Sequence, residues 1–196
     1  TGIVIDSQKL SKFIIFIWLY IKYMSRKSSI RKIKRSNQVS KNIEASLSMH
    51  LYEKQHSPIT THFTGLGLGE CDVISISKSN YIYEYEVKIS RSDFFADFKK
   101  EKHGFMLESK SIKGDTYLSP NYFYFVVPTS LVSFEEVPKY CGLIYMDENL
   151  QFTTVKKAPL IHNEKASDKF IRKLSHNLTC KLIFKPNNIN QDNKTI

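Results

Sequence analysis

The spacing of apolar residues predicts a helix shortly after residue 40. Ile43, Leu47 and Leu51 recur at four-residue steps, so they share one face of a helix. Ser40 or Asn42 would cap the start of this helix, because a short polar side chain accepts a hydrogen bond from a free backbone amide there. The proline- and glycine-containing stretch after the helix predicts extended chain and then a turn or bulge.

Two strands are expected next, joined as a hairpin. Polar and apolar residues alternate over residues 71–77 and again over residues 81–90, with three turn-forming residues between the two runs. In the second strand the tyrosines point to one face, and Glu86 and Lys88 point to the other. Glu86 and Lys88 are then neighbours, roughly 7 Å apart at the rise of a strand.

The remaining patterns complete an α/β fold. Ser90 and Asp93 match a capping box, which predicts a helix from Arg91 to His103. Later elements are two strongly apolar strands, a further strand and a closing helix, at residues 121–128, 142–147, 151–157 and 167–184. The order of helix, three strands, helix, strands and helix predicts a central mixed β-sheet flanked by helices.

Composition narrows the class of protein. A chain of 196 residues can bury a substantial core as one domain. Its 29 Lys and Arg against 19 Asp and Glu give a net charge of +10, which favours a polyanionic partner such as nucleic acid or an anionic membrane surface. The three cysteines are far apart and lack zinc-ligand spacing, which argues against a zinc module and favours a reducing, cytoplasmic setting.

The two ends of the chain differ from its middle. Residues 13–24 form an apolar run of twelve, too short for the about 20 residues that span a bilayer, so we expect no stable membrane span. A membrane-surface helix stays open as an alternative for this run. The polar sequence from Met24 onward resembles a natural start, which makes residues 1–23 either upstream sequence or a helix packed on the core. We divide the chain into an N-terminal apolar and basic extension, a main domain and a polar, disordered tail, at residues 1–39, 40–184 and 185–196.

The predicted hairpin brings two acids and a lysine together. Asp72, near the start of one strand, can lie beside Glu86, toward the end of the next. Two converging carboxylates suit a hard cation such as Mg²⁺ or Mn²⁺. A cation of this kind polarises a phosphate and lowers the pKa of a bound water, and Lys88 could orient that water. The residues therefore predict phosphodiester hydrolysis, with Asp72, Glu86 and Lys88 as catalytic groups.

The same residues resemble a known nuclease superfamily. Asp72, a gap of 13 residues and then Glu86-Val87-Lys88 are similar to the PD-(D/E)XK motif, with Cys71 in place of its proline. The stretch "EVKISRSDFFADFKKEKH" resembles a phage-encoded and bacterial DNA-repair-like branch, and the resemblance covers about residues 40–165. It implies an αβββαβ core of the restriction-endonuclease type and metal-dependent cleavage of DNA in repair, recombination or processing. It also implies that Glu44, on the first helix, completes the metal site with Asp72 and Glu86.

The predicted DNA contacts and the alternatives follow from charge. Basic residues crowd the far end of the predicted helix and are expected to contact the DNA backbone: Lys99, Lys100, Lys102 and His103. They could instead offset the helix dipole, or be neutralised by Asp97 and Glu101 within the helix. Glu86 and Lys88 could likewise be a plain ion pair on a solvated face of the sheet. A catalytically silent nucleic-acid-binding protein on the same fold is the rival function. The oligomeric state stays open, a dimer included, and a viral protein would act in the host cytoplasm.

Overall fold

The computed structural model of the chain describes residue 22 and residues 38–64, 68–113 and 116–184. The chain divides into two compact units, residues 1–42 and residues 43–196, and the sheet lies in the second. The predictions for the apolar run, the Met24 start, the N-terminal basic cluster and the C-terminal tail lie outside the described residues. Within the described part, none of the helices has the length and hydrophobicity that a membrane-crossing segment needs.

The fold is a mixed β-sheet with helices on both faces. The helices are α1 at residues 38–53, α2 at Arg91–Asp97, α3 at Lys102–Leu107 and α4 at Asp168–Ile183, with one 3-10 turn at Phe134–Glu136. The first five strands are β1 at Ile59–Thr64, β2 at Glu70–Ile76, β3 at Ile82–Val87, β4 at Ile112–Lys113 and β5 at Thr116–Tyr117. The last three are β6 at Tyr122–Pro128, β7 at Gly142–Met146 and β8 at Phe152–Lys156.

Six strands form the main sheet in the order β1-β2-β3-β6-β7-β8, and β4 and β5 pair separately. β1, β2 and β3 pair with one another in antiparallel fashion, β3, β6 and β7 run parallel, and β8 pairs antiparallel with β7. The parallel β3–β6 step needs a crossover, which α2 and α3 provide. The general prediction of an α/β fold around a mixed sheet is confirmed.

Helix α1 packs on one face of the sheet, as its apolar spacing predicted. Ile43, Leu47 and Leu51 are almost fully buried and pack in one cluster with Tyr85 and Val87 of β3. Burying each of these aliphatic side chains contributes about 2 kcal/mol to the stability of the fold, before the entropy of ordering it. Glu44 follows Ile43 directly, so the packing of the apolar stripe fixes where the Glu44 carboxylate can lie.

The opposite face is covered by α2, α3 and α4. Phe94 of α2 packs with Phe123 and Phe125 of β6, and Phe170 of α4 packs with Ile74 of β2. Because side chains alternate between faces along a strand, residues of β3 that neighbour these aromatic rings belong to the same layer. Glu84 and Glu86 of β3 are such residues, and both are almost fully buried.

The single helix predicted from Arg91 to His103 is wrong: the chain forms two short helices with a turn between them. Ser90 caps α2 as predicted, since its hydroxyl accepts a hydrogen bond from the Asp93 amide over 3.2 Å. The helix then ends at Asp97, and α3 begins at Lys102. Residues two apart on a continuous helix do not share a face. The turn therefore allows Lys100 and Lys102 to reach the same carboxylate of β3.

Candidate functional site

The pairing of β1 with β2 is irregular where His62 meets Asp72. His62 has a φ of 45°, in the left-handed region that side chains rarely adopt in strands. On β2, Cys71 and Ile74 pack in the same core cluster although they are three residues apart, so the two-residue alternation is broken around Asp72. Irregularities of this kind re-aim side chains, and here they bring His62 and Asp72 toward α1.

Glu44, His62 and Asp72 form a cluster of potential metal ligands. One ligand atom from each of them lies within 4.8 Å of the others. His62 Nε2 is 2.8 Å from Glu44 Oε2, and the Glu44 side chain is buried. Two carboxylates and an imidazole suit a divalent cation of the Mg²⁺ or Mn²⁺ type. The predicted approach of Glu44 to Asp72 is confirmed.

His62 was not found by sequence reasoning. A single histidine between threonine and phenylalanine has no spacing signal, and its place depends on a backbone turn and on pairing with a distant strand. Its contribution to the cluster became visible only with the backbone geometry.

Asp72 is held at the site by the neighbouring strand. The backbone amide of Val87 donates a hydrogen bond to Asp72 Oδ2 over 2.8 Å, and Lys88 Nζ lies 3.9 Å from the same oxygen. Burial, and then repulsion by the Glu86 carboxylate, raises the pKa of Asp72 to about 6. A divalent cation at this position would reverse that repulsion, so the chemistry of the donor set fits a bound metal.

Glu86 is enclosed by three lysines. Its Oε2 accepts hydrogen bonds from Lys88 over 2.6 Å and from Lys100 over 3.1 Å, and its Oε1 accepts one from Lys102 over 2.5 Å. Burial acts to raise the pKa of Glu86, but the ammonium groups of Lys102 and Lys88 outweigh it, so that this pKa is lowered. The predicted adjacency of Glu86 and Lys88 is confirmed.

The predicted metal ligands therefore separate into two groups. Glu44 and Asp72 lie together with His62, whereas both oxygens of Glu86 are already bound by ammonium groups. Glu86 holds lysines in this structure, and His62 lies beside the two other acids. Coordination of a metal by Glu86 stays a prediction.

Asp97, at the end of α2, is a second buried anchor for the lysines. Lys88 Nζ and Lys100 Nζ lie 2.9 and 2.6 Å from its Oδ1, and His103 Nε2 lies 2.8 Å from its Oδ2. Burial acts to raise the pKa of Asp97, but the hydrogen bond with His103 and the charge of Lys88 hold it well below its usual range. Neutralisation of Lys100 by Asp97 was one of the alternatives open at the sequence level, and the structure contains it.

Two of the four predicted DNA-contacting residues are placed elsewhere. Lys102 donates to Glu84 and Glu86, both over 2.5 Å, and both Lys102 and His103 are almost fully buried. Their polar atoms are directed at carboxylates inside the protein, which corrects their assignment to the DNA backbone. Lys99 and Lys100 are exposed, so the prediction of a backbone contact still applies to them.

Charged side chains are unevenly distributed around strands β2 and β3. The carboxylates of Asp72, Glu84 and Glu86 face the ammonium groups of Lys88, Lys100 and Lys102. Asp97 contacts Lys88 and Lys100 as well, and Glu44 pairs with His62. Acids thus outnumber the lysines, and the lysines lie around Glu86 rather than Glu44. Glu44 lies apart from that group of lysines and clusters with Asp72 and with His62, which offers a nitrogen atom as a possible ligand.

Comparisons with known proteins give the fold and little more. No family model and no curated protein matches the chain. Among solved structures, the chain is similar to a protein from Silicibacter pomeroyi that is described as "SPO1766 protein of unknown function". The two are 22% identical with a TM-score of 0.50, over 71% of this chain and 88% of that one. This similarity supports the general α/β architecture with a mixed sheet flanked by helices.

Proposed function

We propose that the protein is a divalent-metal-dependent nuclease that hydrolyses DNA phosphodiester bonds. The observation that carries the proposal is the position of Lys88. Lys88 Nζ lies 2.6 Å from Glu86 Oε2 and 3.9 Å from Asp72 Oδ2, and Asp72 in turn clusters with Glu44 and His62. A lysine fixed beside a cluster of cation ligands can serve phosphodiester hydrolysis, because it can orient the attacking water and offset charge on the phosphate.

Each group has a separate task in this proposal. Glu44, Asp72 and His62 hold Mg²⁺ or Mn²⁺, which supplies a polarised phosphate and a bound water of lowered pKa. Lys88 donates hydrogen bonds to the attacking water or to a phosphate oxygen, where its charge offsets the negative charge that develops. Glu86 and Asp97 hold the Lys88 side chain from two sides, so that the ammonium group does not have to be ordered during the reaction.

DNA as the substrate is supported by charge and by element order. The net charge of +10 favours a polyanion, and the exposed Lys99 and Lys100 lie at the same edge as Lys88. The order of helix, three strands, helices and a parallel strand agrees with the αβββαβ core that the motif resemblance implies. A phage origin, a role in DNA repair or recombination and a cytoplasmic site of action follow from that resemblance and belong to the proposal.

A catalytically silent nucleic-acid-binding protein is the second candidate. It is favoured by the three lysines that occupy both oxygens of Glu86, since buried acid–lysine networks also occur purely as structural features. In that case the lysines would only neutralise the acids, and the surface formed by Lys99 would bind DNA without cleaving it.

A cleavage assay distinguishes the two functions. Purified protein is incubated with single-stranded, double-stranded, nicked and branched DNA in Mg²⁺, in Mn²⁺ and in EDTA. The nuclease proposal expects cleavage that depends on metal and a loss of about 100-fold or more in Lys88→Met, with the exposed Lys173→Met on α4 as a matched control that keeps its rate. Calorimetric titration with Mn²⁺ should show binding that Lys88→Met retains. Intact DNA of every form together with no Mn²⁺ binding would contradict the proposal.

A further inference from the structure

The ring of His103 is enclosed by aromatic side chains. Its centroid lies 5.2 Å from that of Phe98, 5.4 Å from Phe123, 6.1 Å from Phe125 and 5.9 Å from Tyr140. The residue is 3% exposed. Packing on so many sides fixes the plane of the imidazole, so the directions of its two nitrogen atoms are fixed as well.

Both of these nitrogen atoms have a partner. Nε2 lies 2.8 Å from Asp97 Oδ2, and Nδ1 lies 3.1 Å from the hydroxyl oxygen of Tyr140. An ionised carboxylate only accepts hydrogen bonds, so Nε2 is the protonated nitrogen and donates to Asp97. In a neutral imidazole, Nδ1 then accepts a hydrogen bond from the Tyr140 hydroxyl.

The other oxygen of Asp97 continues the chain of contacts to Lys88, whose Nζ lies 2.9 Å away. Asp97 is the last residue of α2, where the helix dipole does not stabilise a carboxylate. The groups that hold its carboxylate in place therefore have to come from outside α2. His103, on the next helix, is such a group. Lysine has a long flexible stem, and two fixed carboxylates, Glu86 and Asp97, are what restrict its ammonium group.

We propose that His103 and Tyr140 are positioning residues that, through Asp97, hold the Lys88 ammonium group beside Asp72 and Glu86. The inference rests on the proposed nuclease function for its consequence in catalysis, although the positioning itself can be measured without any activity. Neither residue belongs to the cluster of potential metal ligands. Their effect reaches the site only through where Lys88 is held.

The first measurement concerns the position of Lys88 and needs no cleavage. Acetylation of lysines by an activated ester is followed by peptide mass spectrometry, with the exposed Lys99 as the internal reference. Lys88 should be acetylated slowly in the wild-type protein, because its side chain is only 7% exposed and is paired with acids. His103→Phe keeps an aromatic ring but removes both nitrogens, and it should raise Lys88 acetylation several-fold relative to Lys99. His103→Gln can still donate an amide hydrogen to Asp97 and should restore protection.

The second measurement concerns catalysis. Tyr140→Phe removes one hydroxyl and should lower kcat about ten-fold while KM for DNA changes little, because the residue affects only an orientation. Tyr145→Phe is the matched control, since the Tyr145 hydroxyl donates to a backbone carbonyl, that of Val132, and lies outside this chain of contacts. The control should keep its kcat.

The outcomes separate the inference from the proposed function. Unchanged acetylation of Lys88 in both His103→Phe and Tyr140→Phe overturns the positioning role, and so does a kcat for Tyr140→Phe equal to that of Tyr145→Phe. If the unmodified protein cleaves no DNA but His103→Phe exposes Lys88, the positioning stands and the nuclease proposal fails. If His103→Phe does not fold, Tyr140→Phe, followed by acetylation and by its melting curve, decides the inference.

Discussion

The backbone amide of Val87 donates a hydrogen bond to Asp72 Oδ2, with 2.8 Å between the two atoms. This contact fixes Asp72 from the strand that carries Glu86. The nearest lysine lies 3.9 Å from Asp72, whereas Glu86 and Asp97 each lie within 3.1 Å of two or more ammonium groups. Burial, and then repulsion by Glu86, raises the pKa of Asp72 to about 6. A cation bound by Asp72 would offset this charge.

Asp72→Asn should abolish cleavage and Mn²⁺ binding without unfolding the protein, because the amide oxygen can still accept from Val87. A carboxyl whose pKa is raised by folding costs nothing below its unfolded pKa, and the cost grows as the pH rises from there through the raised pKa. In EDTA the variant should thus be more stable than the wild-type protein by about 2 kcal/mol at pH 7.5, and nearly equal to it at pH 3. Melting curves at the two pH values test this, with the exposed Glu148→Gln as the control. A variant less stable at pH 7.5 would show that Asp72 is not electrostatically strained.

Glu44→Gln and His62→Ala should each weaken Mn²⁺ binding about 10- to 100-fold, because each removes one ligand of the cluster. Calorimetric titration measures the affinity, and His176→Ala, an exposed histidine on α4, is the matched control for His62. Equal affinity in His62→Ala and in the control would show that the imidazole is not a ligand. Loss of affinity in Glu86→Gln with no loss in His62→Ala would restore the set of ligands expected from sequence.

Asp97→Asn should lower the free energy of unfolding by about 3 kcal/mol at pH 7, because the buried groups that contact Asp97 would lose its negative charge. Because the pKa of Asp97 is depressed in the folded state, its contribution is complete above the ordinary pKa of an aspartate and is lost gradually as the pH falls from there toward the depressed pKa. Urea unfolding at pH 7 and pH 2 should show a difference between variant and wild-type protein that is largest at pH 7 and clearly smaller at pH 2. A difference that does not depend on pH would mean that packing, and not charge, explains the loss.

Lys99→Ala should weaken DNA binding about equally on unrelated sequences, because an exposed lysine contacts phosphates and does not read bases. The plot of log affinity against log salt should lose about 0.9 of slope for the one phosphate contact removed on duplex DNA. Binding in Ca²⁺ across a salt series measures this, with Lys173→Ala on α4 as the control. Identical slopes for Lys99→Ala and the unmodified protein would show that this turn is only a solvated surface.

The elements set by local periodicity could be predicted from sequence. Four-residue spacing gave α1 and its buried face, and two-residue alternation placed Glu86 beside Lys88 on β3. Ser90 was recognisable as a cap because capping depends on residues only three positions apart.

The features that depend on distant strands could not be predicted. The local sequence does not distinguish one long helix with exposed lysines at its end from a broken helix whose lysines turn inward. The inward position of Lys102 is favourable because Glu84 and Glu86 on β3 pair with it. The place of His62 required a positive φ in β1 and its position opposite Asp72. In each case the missing information was which acid would lie across from which base, and that is fixed by packing between elements.

The broken alternation at His62 and Asp72 has a consequence for how the site is assembled. The backbone of a regular sheet separates its two faces, so residues of α1 on one face could not meet residues of α2 and α3 on the other. Where the alternation is broken, Glu44 from one face and Lys88, which Asp97 holds from the other face, both lie near Asp72. Deleting one residue from β1 or β2 at this point would restore the regular alternation of side chains and separate the two faces again. The side chains proposed for catalysis would all remain in the protein, but they would lie on opposite faces of the sheet and could no longer form one site.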